Sequence, residues 1–219
     1  MQCVRRPAHR YTRSGAPATA HTDVMPRIGE RRPPALPATS DQEARRGAIL
    51  AAAARLGKAK EIDRIGAQEI AAEAGVALRT LYRYYPSKYH VFAGLLNTQI
   101  ENLRIPSARS GDPAKAVADF MADACRNTLR HKHLAHAMIT STQAVRAQSG
   151  PTGYSAMRDL ILAVAGADDP TAEQIRAARL VEQVAFGVLT WAVGGELDPK
   201  QAVDDIRVAC RLLTRDTFG

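Results

Sequence analysis

Residues 67–88 read AQEIAAEAGVALRTLYRYYPSK, and their spacing predicts two short helices that meet at a tight turn. Ile70 and Ala74 form the buried side of the first helix, and Ala71 is small where a second helix must cross closely. Gly75 falls at the turn, where a positive φ is needed and glycine meets no steric penalty. Val76, Leu81 and Tyr84 supply the apolar contacts that fix the interhelix angle, which leaves Arg79, Thr80, Tyr82 and Arg83 on the polar side of the second helix. An Ala-rich helical hairpin would by itself be a weak signal. Tyr82, Tyr84 and Tyr85 crowded together with Arg83 are a stronger one, because a small core cannot use all of them at once. Exposed Tyr and Arg beside Lys88 suit phosphate and base contacts. The stretch therefore predicts a helix-turn-helix whose second helix is sized to enter a major groove, followed by a phosphate-touching Lys.

The charge distribution agrees. The 219-residue chain carries a formal net charge of +8. Residues 1–40 contribute +5, residues 41–104 contribute +3, and residues 105–219 hold 13 cations and 13 acids. Basic charge is thus confined to the N-terminal half, as phosphate neutralisation requires, and the neutral C-terminal half points to a different task. The length suits one small and one medium domain. No run of 18 apolar residues occurs, so no membrane span is expected. Cys3, Cys125 and Cys210 are odd in number and widely spaced, which fits a reducing, cytoplasmic setting. Cys125 and Cys210 lie in helical patterns and read as core residues, with a thiol sensor as the alternative.

Residues 1–39 are rich in Pro and Arg and show no periodicity, which reads as a disordered basic arm. It would either reach into a minor groove or, if translation starts at Met25, be largely absent. Residues 40–86 make a three-helix DNA-binding domain. Ser40-Asp41-Gln42-Glu43 is read as a capping box opening a helix with the stripe Ile49, Leu50, Ala53 and Leu56, ending at Gly57. Arg45 and Arg46 near its start are candidate phosphate contacts. Ile62 and Ile65 pin the connection to the small core. Ser87 is the expected N-cap of a linking helix over 87–104, whose stripe Val91, Phe92, Leu95, Leu96, Ile100 and Leu103 faces both domains. After the breaker cluster PSARSGDP at 106–113, helices are expected at about 113–130, 133–147, 151–166, 171–194 and 199–214. Asp112-Pro113, Asp169-Pro170 and Asp198-Pro199 read as cap-plus-first-residue starts. The fold class is all-α, an N-terminal helix-turn-helix domain followed by a C-terminal bundle at 105–219.

Ile70-Ala71-x-x-Ala74-Gly75-Val76 followed by Thr80-Leu81-Tyr82-Arg83-Tyr84-Tyr85-Pro86-Ser87-Lys88 resembles the signature of the TetR family of transcriptional regulators. The motif-bearing part covers about residues 44–100. The resemblance implies a dimer on a double-stranded palindromic operator, released by a small effector. The chain departs from the family pattern at Ala77, where a Ser or Thr cap is usual, and at Arg79, where Gly is usual. A Thr before the second helix is also absent, and Gln68 is the candidate for its phosphate role. The implied DNA-binding set is Arg45, Arg46, Gln68, Leu78, Arg79, Thr80, Tyr82, Arg83, Tyr84 and Lys88. The stretch Leu180–Leu213, with Trp191, is similar to actinobacterial steroid-catabolism repressors of the KstR type. That resemblance implies a long apolar pocket for a CoA thioester, with a cation near its mouth.

A neutral five-helix bundle is where an apolar effector would bind between helices. Most of its apolar residues must be ordinary core. Phe120, Met121, Met138, Met157, Phe186 and Trp191 are the candidates for the pocket lining. Ile175, Ala178, Val181, Val184, Ala185, Val188, Leu189 and Ala192 cover more than one face of their helix, and Val203, Ile206, Cys210 and Leu213 stripe the last one. These are expected to form a four-helix homodimer interface with a second copy. His131-x-His133-x-x-His136 is the one metal-like cluster, and it lacks an adjacent acid or Cys. No catalytic motif is found, since Asp168-Asp169 and Asp204-Asp205 read as a cap and a solvated face. Neither catalysis nor a cofactor is expected. An activator or a ligand-independent DNA-binding protein remains the alternative.

Overall fold

The computed structural model describes residues 38–105, 111–148 and 155–218. The N-terminal arm with Cys3, most of the 106–113 breaker cluster and the break at 149–151 with Tyr154 lie outside these residues. Among the described residues the chain forms nine α-helices and one short 3-10 turn, with no strand. The N-terminal elements are α1 (Ser40–Ala59), the 3-10 turn (Ile62–Arg64), α2 (Ala67–Glu73), α3 (Leu78–Tyr84) and α4 (Lys88–Glu101). The bundle contains α5 (Pro113–Leu129), α6 (Lys132–Gln148), α7 (Ala156–Val164), α8 (Ala172–Gly194) and α9 (Pro199–Phe218).

Most helix starts follow the sequence, with three corrections. The capping residue of α1 is Thr39, one residue before the expected Ser40. The Thr39 hydroxyl accepts from the Gln42 backbone N–H at 3.3 Å, while the Gln42 side chain accepts from Ala38 N–H at 2.8 Å. At α8 the cap is Thr171 rather than Asp169, because Thr171 and Gln174 complete a reciprocal capping box that Asp169 is too far upstream to make. Ser87 precedes α4, but its hydroxyl bonds His90 Nδ1 at 2.9 Å rather than a backbone N–H. Asp112 and Asp198 do accept from the first-turn amides of Lys115 and Lys200, at 2.9 and 2.8 Å.

Two apolar cores result. The first draws Ile49 and Leu50 from α1, Ile70 from α2, Leu81 and Tyr84 from α3, and Val91 and Phe92 from α4. It continues into α6 through Leu134, Met138 and Ile139. The second joins α5, α7, α8 and α9 around Val117, Ile161, Val181, Ile206 and Cys210. This core changes the reading of α9. Its stripe of Val203, Ile206 and Cys210 packs within the chain, chiefly on α5, and Ala178, Val181 and Ala185 of α8 are likewise buried. They are therefore not available to a second copy, since an amphipathic helix buries its stripe against the nearest apolar surface. Burial also pushes the Cys125 thiol up to about 11 and the Cys210 thiol up to about 12. Neither is a thiolate near neutrality, which removes the chemistry a thiol sensor needs.

Helices α1, α4 and α6 approach one another closely at Gly57. A Cβ there would sit 2.8 Å from Leu134 Cδ1 on α6 and 3.0 Å from Phe92 Cε1 on α4. Both neighbours are almost fully buried, so an added Cβ must displace at least one of them. Gly57→Ala should therefore lower the thermal midpoint despite gaining up to about 1 kcal/mol of helix propensity, because overpacking costs roughly 1–3 kcal/mol. A melt followed by circular dichroism checks this.

Candidate nucleic-acid interface and effector cavity

The turn between α2 and α3 is closed by Gly75, with φ of +67°, and by the Val76 N–H donating to Ala71 O at 2.9 Å. Leu81 and Tyr84, at 0 and 2 % exposure, anchor α3 to the core. Arg79, Tyr82 and Arg83 are exposed, and their spacing puts them on one face of the helix. Leu78 and Thr80 are half-buried, and Gln68 and Arg45 are exposed. Arg46 is tied to Glu43 at 3.2 Å. Ala77 begins α3 without a side-chain cap. Two ion pairs, the exposed Arg55–Glu73 at 2.7 Å and the part-buried Lys60–Glu69 at 2.5 Å, tie α2 to α1 and to the residue that follows it.

Two of the expected DNA contacts are corrected here. Tyr84 faces the core, where packing takes its ring out of reach of a groove. Its hydroxyl accepts from Arg83 Nη2 at 2.8 Å, and the Arg83 guanidinium lies 4.9 Å from the ring centre. Tyr84 thus orients Arg83 rather than touching DNA. Lys88 is not free to reach a phosphate with its whole ammonium group, because Nζ donates to the carbonyls of Ile62 and Ile65 at 2.9 and 3.0 Å. Two of its three N–H bonds go to carbonyls at the two ends of the 3-10 turn, on the buried residues Ile62 and Ile65. Its first role is to fasten that turn to the start of α4.

A cavity of about 430 Å³ lies between α4, α5, α6 and α8, with Met157 of α7 also on its wall. Met121, Met138, Met157 and Phe186 line it as expected from the sequence. Phe120 does not, because it turns into the second core, and Trp191 is 59 % exposed on the outside of α8. The sequence reading missed Leu96 and Ile100 of α4 and Leu134 of α6, and also Arg146 and Glu182. The signal was present: His131, Leu134, Met138, Thr142 and Arg146 recur at three- and four-residue steps along one face of α6, and all line the cavity. The cavity is therefore elongated, spanning about 22 Å along α6 at 1.5 Å per residue. Lys58, Arg130 and His131 lie at one end, and Arg146 with Glu182 at the other. Among the described residues, no group of His, Cys, Asp and Glu side chains comes together as a metal site would need.

Comparison with known proteins gives the same two parts. Residues 49–95 match "Bacterial regulatory proteins, tetR family", and residues 111–213 match "Tetracyclin repressor-like, C-terminal domain". A solved TetR transcriptional regulator from Rhodococcus sp. RHA1 is 39 % identical, with 80 % of this chain and 97 % of that chain covered and a TM-score of 0.72. The chain belongs to the TetR family of transcriptional regulators. The repressor KstR of Mycolicibacterium smegmatis is 27 % identical over 161 residues, 68 % of this chain and 78 % of that protein. FadR of Thermus thermophilus, a TetR-family repressor solved with lauroyl-CoA, shares the fold at 23 % identity, with 77 % of this chain and 92 % of that one covered and a TM-score of 0.59.

Two substitutions in this TetR-family regulator test the expected roles of Arg79 and Lys88. Arg79→Ala should relax the preference at one base pair and leave binding to other sequences little changed, as read from an operator-variant panel by fluorescence anisotropy. Lys88→Met should instead weaken binding to every sequence and lower the thermal midpoint as well. It removes the Lys88 donor from the Ile65 carbonyl and one of two donors from the Ile62 carbonyl, which keeps the Ile65 N–H, at roughly 1–3 kcal/mol.

Proposed function

We propose that the protein is a transcriptional repressor that leaves a palindromic operator when a small apolar effector occupies the cavity between α4, α5, α6 and α8. The observation that carries this reading is the double use of α4. Its Val91 and Phe92 belong to the core beneath the recognition helix, and its Leu96 and Ile100 line the cavity. An effector that fits better when α4 is displaced shifts the equilibrium away from the DNA-competent state by its difference in affinity for the two states.

Arg45, Gln68, Arg79, Thr80, Tyr82 and Arg83 are the proposed DNA contacts. Arg79 reads a base edge, the others act mainly on phosphates, and Lys88 positions the turn beside them. The effector class that the cavity favours is a lipid or steroid-like body carried as a CoA thioester. Met121, Met138 and Phe186 provide the apolar wall, and Lys58, Arg130 and His131 provide cations at one end. Arg130 also borders a second depression between α5 and α9, lined by Arg126, Lys200, Arg207 and Asp204, in which Arg126 pairs with Asp123 and Arg207 with Asp119 and Asp204. A chain emerging past Arg130 would bring its phosphates beside Lys200. The lauroyl-CoA bound by the Thermus relative and the similarity to KstR support the same class.

Dimerisation is proposed through α8 and α9, but by their outward faces. Ile175, Leu180 and Trp191 of α8 and Val208 and Leu212 of α9 are the large apolar residues exposed there, and Gly187 stands open to close approach. Such a patch marks an interface. A two-fold dimer would set two recognition helices about one turn of DNA, ~34 Å, or further apart.

Two results test the proposal. Met138→Trp, which fills the middle of the cavity, should by itself weaken operator binding, as an effector does, and abolish any further response to dodecanoyl-CoA in a gel-shift titration. Release that survives this change would place the effector elsewhere. Leu212→Asp paired with Val208→Glu should give a monomer by light scattering, with operator affinity reduced at least about a hundredfold as two half-sites are no longer joined.

A further inference from the structure

The end of the cavity remote from Lys58 and Arg130 is built from charge. Glu182 is the one carboxylate among the described lining residues, and its side chain is only 15 % exposed. Three groups from two other helices and the residue before α7 converge on it. The Ser155 hydroxyl donates to Oε1 at 2.8 Å, Arg146 Nη2 lies 3.6 Å from Oε1, and Arg158 Nη2 lies 3.6 Å from Oε2. The Arg146 guanidinium also stacks at 4.8 Å over the ring of Phe186, another lining residue. Arg158 Nε is buried without a hydrogen-bond partner. Both arginine contacts are longer than a direct hydrogen bond, so the cluster is gathered but not saturated.

A purely hydrocarbon tail pushed against this cluster would strip the remaining water from the Glu182 carboxylate and return nothing, which disfavours it, while Arg146, 59 % exposed, keeps much of its hydration. An uncharged oxygen group removes the penalty. A hydroxyl is the best match, since it can donate to Glu182 and accept from Arg146 at once. A ketone can only accept, and a second carboxylate would meet Arg146 but be repelled by Glu182.

We propose that the Glu182–Arg146–Arg158–Ser155 cluster recognises a hydroxyl at the end of an elongated apolar effector remote from Lys58 and Arg130, so that the ligand is polar at both ends and apolar between. This rests on the reading that the effector occupies the cavity, and it adds which apolar molecules the protein accepts. Sites built to hydrogen-bond a hydroxyl reject analogues that lack it more strongly than apolar walls reject a change of size.

The test uses the full-length protein and four probes: dodecanoyl-CoA, 12-hydroxydodecanoyl-CoA, and the two corresponding free acids. Binding is measured by titration calorimetry and operator release by fluorescence anisotropy. Within each pair the hydroxylated probe should bind at least about tenfold more tightly, and Glu182→Leu should reduce that advantage to less than about threefold. Equal affinity within the pairs overturns the inference but leaves the thioester reading standing. A hydroxyl preference among the free acids, with no binding of either thioester, supports the inference and overturns the thioester reading. Binding of none of the four overturns both. The comparison within pairs is made on the parent protein, so it holds even if Glu182→Leu misfolds. A preference that persists in a folded Glu182→Leu protein also overturns the inference.

Discussion

Helices α1, α4 and α6 meet where Gly57 leaves room for Phe92 and Leu134. Each of those two side chains has a second allegiance. Phe92 belongs to the core under the helix-turn-helix, and Leu134 lines the cavity. Burying a side chain such as Phe92 is worth about 1.5–3 kcal/mol, and closely packed interiors transmit displacement rather than absorb it. On the proposed mechanism, a change in what Leu134 touches on the cavity side is passed to α1 and α4, and through them to α3. The absence of a side chain at residue 57 is what permits so direct a contact.

The two ends of the molecule solve opposite electrostatic problems. The recognition surface exposes Arg79 and Arg83 to meet a polyanion, and it spends Tyr84 and Lys88 internally to hold those groups in place. The bundle carries no excess charge and places its few charged lining residues at the two extremities of an apolar channel. Operator affinity should then be strongly salt-dependent, whereas on the proposed reading effector affinity should depend on the fit of an apolar body between two polar ends.

Much of this was legible in the residues. Gly75, Leu81 and the apolar stripe of α4 place the helix-turn-helix and the linking helix from periodicity and turn chemistry alone. Four of six pocket residues were legible for the same reason, since Met and Phe at helical spacing face inward. What periodicity cannot say is which neighbour a stripe meets. Phe120 and Trp191 look alike in sequence, yet one is taken by the second core and the other faces outward. The stripe of α9 was read as a dimer seam because nothing local shows that α5 would cover it. Lys88 was read as a phosphate ligand because the carbonyls it binds lie 26 and 23 residues earlier in the chain. Glu182 and its arginines likewise come together only when α6, α7 and α8 pack.

The central claim is that filling the cavity moves the recognition helices through the α1–α4–α6 junction. Its most direct test is a distance between the two copies of exposed α2. A spin label at Ala72→Cys, in a Cys3→Ser background that leaves the buried Cys125 and Cys210 in place, reports that distance in the dimer by double electron–electron resonance. Dodecanoyl-CoA at a concentration that releases the operator should shift the distance distribution as a whole. An unchanged distribution under conditions where the operator is released would contradict the account.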